Sequence, residues 1–251
     1  MTSGPLLFSR FAYPPNALGY CGPSDATVLT ELVVAGEPAA DDLQHAVTAF
    51  AGAWPYLQLI GASTGRDPLD PSVVEAYWLG SPLLEQVDPL TWGNSIDERF
   101  RHRAGWDWDK ISTALNAGGI PSHAFHVYCV YPWVGLLRSG AVDQALDVLD
   151  RCRIRWGRVV ERANGTLLVK SQPLAWDGKH LHLGVEHIES VEAPIDQGTT
   201  PIEDGDLVAM HWNYVCQRLS AIEYRYLRRY HDHHLSIANG TGSQLVSRLE
   251  G

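Results

Sequence analysis

Cys152-Arg-Ile-Arg-Trp-Gly157-Arg-Val-Val160, taken together with Gly205-Asp206-Leu-Val-Ala-Met-His211, decides how this chain folds. Before Cys152 apolar residues recur at helical spacing; after it they fall into short runs divided by turns. Ile154, Trp156, Val159 and Val160 favour extended backbone, and Asn164-Gly165 ahead of Thr166-Leu-Leu-Val-Lys170 is a hairpin signal. Asp177-Gly178 marks a second turn, after which Leu181, Leu183 and Val185 alternate with His180, His182 and Gly184. Ile188 and Val191 continue the pattern, residues 194–203 read as a loop, and Asp204-Gly205-Asp206 turns into the run ending at His211. Short strands so closely spaced predict a small closed or nearly closed β barrel. Ser220-Ala-Ile-Glu223 is a capping box that opens a terminal helix to about Ile237.

Upstream, Phe11-Ala-Tyr-Pro14-Pro15-Asn-Ala-Leu-Gly19-Tyr-Cys21-Gly22-Pro23 mixes aromatics with backbone punctuators, so residues 1–23 are expected to be an ordered loop. Ser24 and Asp25 cap a helix to about residue 35, and Pro38 opens a second with Leu43, Val47 and Phe50 on one face. Helical patterns follow over about 71–78, 95–102 and 108–117. Pro132 interrupts the apolar stretch 123–137, and 142–149 reads as a short helix leading to Cys152. The expected fold class is α+β: a mainly helical domain over 1–150, a small OB-like β barrel with a C-terminal helix over 151–238, and a flexible tail over 239–251.

The formal charge of −10, from 29 acidic and 19 basic residues, argues against nucleic acid as a partner. Basic residues gather at 99–103, 151–158 and 225–229, which read as solvated faces or as a surface for an acidic protein. No apolar run is long enough to cross a bilayer, and residues 1–11 lack the pattern of a secretory signal. A cytoplasmic protein with no membrane partner is the expectation. Cys21, Cys129, Cys152 and Cys216 are then thiols or ligands rather than disulfides, and no C-x-x-C pair occurs. Nucleophile-elbow, phosphate-loop and zinc-helix motifs are absent. Asp107 and Asp109 around Trp108 read as a helix start with a capping acid rather than as a carbohydrate subsite.

Residues 151–238 resemble the HypC/HupF-type hydrogenase-maturation chaperones. The family opening, Cys-x-x-x-x-Gly-Lys-Val-Val, is matched by Cys152, Gly157, Arg158, Val159 and Val160. Its later motif is matched by Gly205, Asp206, Val208, His211, Tyr214 and Leu219, and the acid opening the last helix by Glu223. Three departures stand out: Cys152 is internal, Trp156 replaces a proline, and Trp212-Asn213 replaces small residues after the histidine. The whole chain also resembles an uncharacterised actinobacterial family associated with [NiFe]-hydrogenase gene clusters, through residues 13–23 and His126-Val-Tyr-Cys-Val-Tyr-Pro132-Trp133. The resemblance implies an assembly accessory protein, not an enzyme. Cys152 and His211 would transiently hold an iron with cyanide and carbonyl ligands, and the partners would be the hydrogenase large subunit or other maturation proteins. Thiolate and imidazole both suit such an iron.

Other residues carry alternatives. His123, His126 and Cys129 stand three apart, on one helical face if the helix is regular, and are either a secondary metal site or packed core. Cys21 is a reactive loop thiol or a packing residue. Cys216 is expected in the core behind His211. His231, His233 and His234 are expected on a solvated helix face, and His180 and His182 on the outer face of a strand. Besides the assembly factor, two readings stay open: a metal-dependent enzyme with an interdomain Cys/His site acting on a small molecule, and a cargo-free interaction scaffold.

Overall fold

Ser3 accepts a hydrogen bond from the Leu6 N–H, and Pro5 follows within the first turn, so helix α1 (Gly4–Ala17) starts where a loop was expected. Pro14 and Pro15 lie inside it, in the last turn. Their fixed φ suits a helix, and what they remove is the N–H that would bond the carbonyl four residues back. The expected loop is thereby confined to the residues after α1. The structure, a computed structural model, describes residues 2–24, 29, 45–101, 107–163, 165–194 and 201–240. Most of the helix expected over 24–35, residues 38–44 of the one expected from Pro38, the turn position Asn164 and the tail beyond residue 240 lie outside these; residues 45–48 are helical, and Val47 and Phe50 are buried.

Helix α2 (Trp54–Thr64), apolar around most of its circumference, had no clear face in the sequence. Helix α3 (Pro71–Leu79) is capped by Asp70, and a 3-10 turn (Pro82–Gln86) leads to α4 (Pro89–Phe100), capped by Asp88. The Asp-Pro pair moves the start of α4 six residues ahead of the expected 95. Asp107 caps α5 (Trp108–Asn116), in keeping with the capping role. One α turn (His123–Phe125) then passes into a π turn (His126–Val130), which stops at Tyr131-Pro132 before α6 (Trp133–Arg138). Helix α7 (Val142–Cys152) runs further than expected: Cys152 sits in its last turn, and extended backbone begins at Arg155.

The strands are β1 (Arg155–Ala163), β2 (Thr166–Ser171), β3 (Leu174–Trp176), β4 (Leu181–Leu183), β5 (His187–Glu192), β6 (Leu207–His211) and β7 (Tyr214–Arg218). Five close into a barrel in the order β1-β2-β5-β7-β6. β1 runs antiparallel to both β2 and β6, and a parallel contact at Glu192 and Tyr214 closes the ring. This Greek-key order is OB-like. Val159, Leu167, Val169, Val191, Val208, Met210 and Val215 fill the interior, with Ile202. Gly157 sits where two strands press together: a Cβ there would lie 2.8 Å from the Lys170 carbonyl oxygen and 2.4 Å from a Val169 methyl. Leu181 and Leu183 do not join the barrel; β3 and β4 form a separate pair, and Asn239 bonds both backbone groups of Leu181.

Helix α8 (Ala221–Ala238) follows, with the Ser220–Glu223 capping box formed. A second, larger core runs from Leu7 and Phe8 through Tyr56, Tyr77 and Phe125 to Trp156, Trp212, Leu227 and Ala238. Helical segments and the outside of the barrel therefore share one apolar interior. Among the described residues no helix is long and apolar enough to cross a membrane.

Candidate binding cavity between the helices and the barrel

β1 and β6 pair with Arg155 opposite Met210, so the chain just before β1 lies beside the end of β6. The Trp212 N–H donates to the Arg151 carbonyl at 2.9 Å, extending that contact one step. The last turn of α7 and the β6–β7 turn are thus neighbours, although 59 residues separate Cys152 from His211 in the sequence. Both side chains line a cavity of about 320 Å3, and so do Cys21, His123 and His126. Its walls are aromatic: Tyr20, Tyr77, Trp78, Tyr131, Trp133 and Trp212. The volume lies at the low end for a small-molecule site.

Each histidine is oriented by its second nitrogen. His211 Nδ1–H donates to the Phe11 carbonyl at 2.6 Å. That oxygen lies four residues before Pro15, which has no N–H to offer it. A neutral His211 therefore keeps its lone pair on Nε2. His123 Nε2–H donates to the Cys152 carbonyl at 2.7 Å, so its Nδ1 accepts from the Tyr77 hydroxyl at 3.4 Å. His126 Nδ1 pairs with the Tyr56 hydroxyl at 3.0 Å. The His123 and His211 rings meet edge to face, 5.1 Å between centroids. Metal-binding imidazoles are commonly fixed in this way by a carbonyl or hydroxyl on the far nitrogen.

The cavity favours neutral forms. Burial pushes His123 down to about 4, against a raising effect of its bond to Cys152. Burial and the neighbouring His123 push both His126 and His211 down to about 3. Burial raises Cys152 to about 12, with Cys21 nearby adding to it, and Cys21 itself is raised to about 12. Neither thiol is set up as a free nucleophile, which requires a lowered pKa.

Cys129 does not line the cavity. It is buried, and burial raises its thiol to about 12, with Lys110 opposing. The cause is the π turn: at more than four residues per turn, a residue three positions on no longer returns to the same face. His123 and His126 therefore meet Cys21 and Cys152 rather than Cys129. Among the described residues, no three His, Cys, Asp or Glu side chains form a group that could hold a metal ion. Cys216 is buried close to the His211 backbone, as expected for a core thiol.

The histidines of α8 overturn their expected exposure. His231 Nδ1–H donates to Asp232 Oδ1 at 3.0 Å, so its Nε2 accepts from the Tyr128 hydroxyl at 2.8 Å, and the ring packs edge-on to Trp156. His233 Nε2–H donates to the Gly118 carbonyl at 2.8 Å, and His234 Nε2 accepts from the Ile120 N–H at 3.1 Å. All three are buried, because their partners lie on segments more than a hundred residues earlier. His182 is exposed and His180 half-buried, in keeping with an outer face.

The cavity wall contains residues that sequence reading did not single out. Trp212 is the one non-glycine with positive φ among the described residues, at 55°, in the two-residue turn from β6 to β7. Its backbone is pinned by the bond to Arg151 and by the Arg155 guanidinium, which donates to the Trp212 carbonyl. Arg155 in turn reaches both Glu189 oxygens at 2.6 Å. The exposed Tyr20 ring lies against Trp212, 4.0 Å between centroids, in a loop that Asn16 ties down through the Cys21 and Pro23 carbonyls. The bulky pair Trp212-Asn213 directly after His211 was the one visible sign.

The chain belongs to a family of unknown function, DUF6390, whose model matches residues 1–244. No curated protein and no solved structure matches it. These comparisons carry no link to the HypC/HupF-type chaperones or to hydrogenase assembly, so that resemblance rests on the motif residues alone.

Proposed function

We propose that this family member is a binding and delivery protein whose cavity takes a small iron fragment carrying its own ligands, for assembly of a [NiFe] hydrogenase. The observation that carries the reading is that Cys152 and His211 both line one cavity. They are the two motif residues of the barrel, brought there by α7 and β6. A bare metal ion would need three or four protein donors, and no such group exists among the described residues. A fragment already bearing cyanide and carbonyl ligands needs only two, and must be released. The high thiol pKa fits such a role: Cys152 stays protonated until a metal displaces its proton.

The test is anaerobic purification of the full chain from its host, with metal analysis and infrared spectroscopy in the metal-bound cyanide and carbonyl region. Bands present in the native chain and absent from both Cys152→Ala and His211→Ala support the reading. A hydrogenase subunit recovered without those bands, and indifferent to both variants, points to the scaffold. Neither bands nor subunit would remove the delivery role. The same cavity favours one further reading, an enzyme on a small molecule. Three neutral histidines and two thiols line a space of ligand size, and turnover of a bound compound would identify it.

A further inference from the structure

Gly52 has no conformational need to be glycine, since it lies outside the left-handed region that ten other glycines occupy. No backbone crosses it either. Apart from its chain neighbours, a Cβ there would meet only one edge of the His126 ring within 4 Å, Nε2 at 3.4 Å and Cε1 at 3.8 Å. Glycine therefore leaves a space in front of His126 Nε2, and both residues line the cavity. The tautomer of the ring follows from its other side. The Tyr56 hydroxyl is buried and has one hydrogen-bond partner, His126 Nδ1 at 3.0 Å, so its single hydrogen goes there. Burial holds the imidazole neutral, at about 3, and its own proton is then on Nε2. This N–H has no partner among the described residues, yet it is not closed off inside the protein. A buried imidazole thus turns an unused donor to the gap over Gly52.

We propose that the Gly52–His126 corner is a ligand subsite of the cavity, where His126 Nε2–H donates to one acceptor atom of a ligand without net charge. This rests on the cavity being the functional site and deepens that reading: Cys152 and His211 hold the ligand's centre, and His126 selects it by an outer atom. A nitrile-type nitrogen, organic or metal-bound, is the smallest acceptor that reaches such a corner. None of the lining residues is Asp, Glu, Lys or Arg, so a carboxylate or phosphate would be buried there without a counter-charge. A ligand of similar shape without an acceptor leaves the N–H unpaired, and the corner discriminates against it on that ground.

The experiment titrates the full chain, labelled with nitrogen-15 at its 11 histidines, with benzonitrile and separately with toluene, which has the same ring and no acceptor. His126→Gln assigns the Nε2 signal. The second variant is Gly52→Ala, which keeps every cavity side chain and puts a methyl group at ordinary contact distance from Nε2. The expected result is movement of the His126 Nε2 signal with benzonitrile and not with toluene. Benzonitrile binding should also be about tenfold weaker in Gly52→Ala. An unmoved Nε2 signal, equal movement with toluene, or native affinity in Gly52→Ala overturns the subsite, even if the host-purified chain carries iron. The expected shifts in a chain that carries no iron when purified from its host keep the subsite and remove the iron cargo. The affinity comparison uses Gly52→Ala and the native chain alone, so a poorly folded His126→Gln does not decide the outcome.

Discussion

Pro15 and His211 are coupled through one oxygen. The proline withholds an N–H from the Phe11 carbonyl, and the imidazole supplies it. Pro15→Ala restores a competing donor, so the Nδ1–H tautomer of His211 should lose population, readable in the imidazole nitrogen shifts. An unchanged tautomer would mean that the proline has no part in orienting the ring. The cavity histidines also set an acid limit. Their folded-state values, about 4 for His123 and about 3 for His126 and His211, lie below the unfolded value near 6.5. Above that value folded and unfolded chains are both neutral there, and stability is fully present. As the pH falls, the unfolded chain takes up protons first, and each histidine removes about 1.4 kcal/mol per pH unit until its folded value is reached. Calorimetry should find Tm level between about pH 7 and 8, falling steeply below pH 6, and falling again above about pH 9, where the unfolded thiols ionise and the buried ones, raised to about 12, do not; a level Tm down to pH 4.5 would contradict buried neutral imidazoles. Gly157→Ala belongs to the same scale. The added carbon meets backbone on the next strand, and a loss of about 2–3 kcal/mol in denaturant unfolding is expected.

Helix α8 was legible in its start and misread in its face. Ser220 and Glu223 announce the cap, and Ser220→Ala should cost about 1 kcal/mol in thermal or denaturant unfolding. The three histidines gave no local sign of burial, because what makes them interior is Tyr128, Gly118 and Ile120, far upstream. The His-x-x-His-x-x-Cys stripe failed for a related reason: spacing assumes a regular helix, and the π turn breaks it between His126 and Val130. Strand and turn signals survived better, since an Asn-Gly or Asp-Gly corner and alternating side chains are properties of neighbouring residues. Helix α1 was lost to its prolines, which take two N–H donors out of its last turn and therefore read as breakers, although the helix runs on through them to Ala17. Glu189 closes the Arg155 link between β1, β5 and the Trp212 turn. Burial would raise its pKa, but Arg155 and then Ser171 outweigh that and hold it low. Glu189→Gln should therefore loosen the Trp212 turn, seen as faster hydrogen exchange at Trp212 N–H, with about 2 kcal/mol of lost stability.

Across the whole molecule, the class α+β and the order of helices, barrel and last helix could be read from the sequence. The cavity could not. Cys21, His123, His126, Cys152 and His211 were each visible as candidates, but spacing in sequence says nothing about which of them meet. The continuous apolar interior joins the segments before and after residue 150, so unfolding should be a single cooperative transition with equal calorimetric and van't Hoff enthalpies. Two resolved transitions would show that the barrel melts apart from the helices.

The three buried histidines of α8 also impose an order on biosynthesis. Gly118, Ile120 and Tyr128 leave the ribosome long before their partners exist: Ile120 and His234 are 114 residues apart. At ordinary elongation rates that interval is roughly 6–23 s. Throughout it the nascent helices expose an incomplete apolar face, a natural footing for a holding chaperone, until α8 is made and closes it.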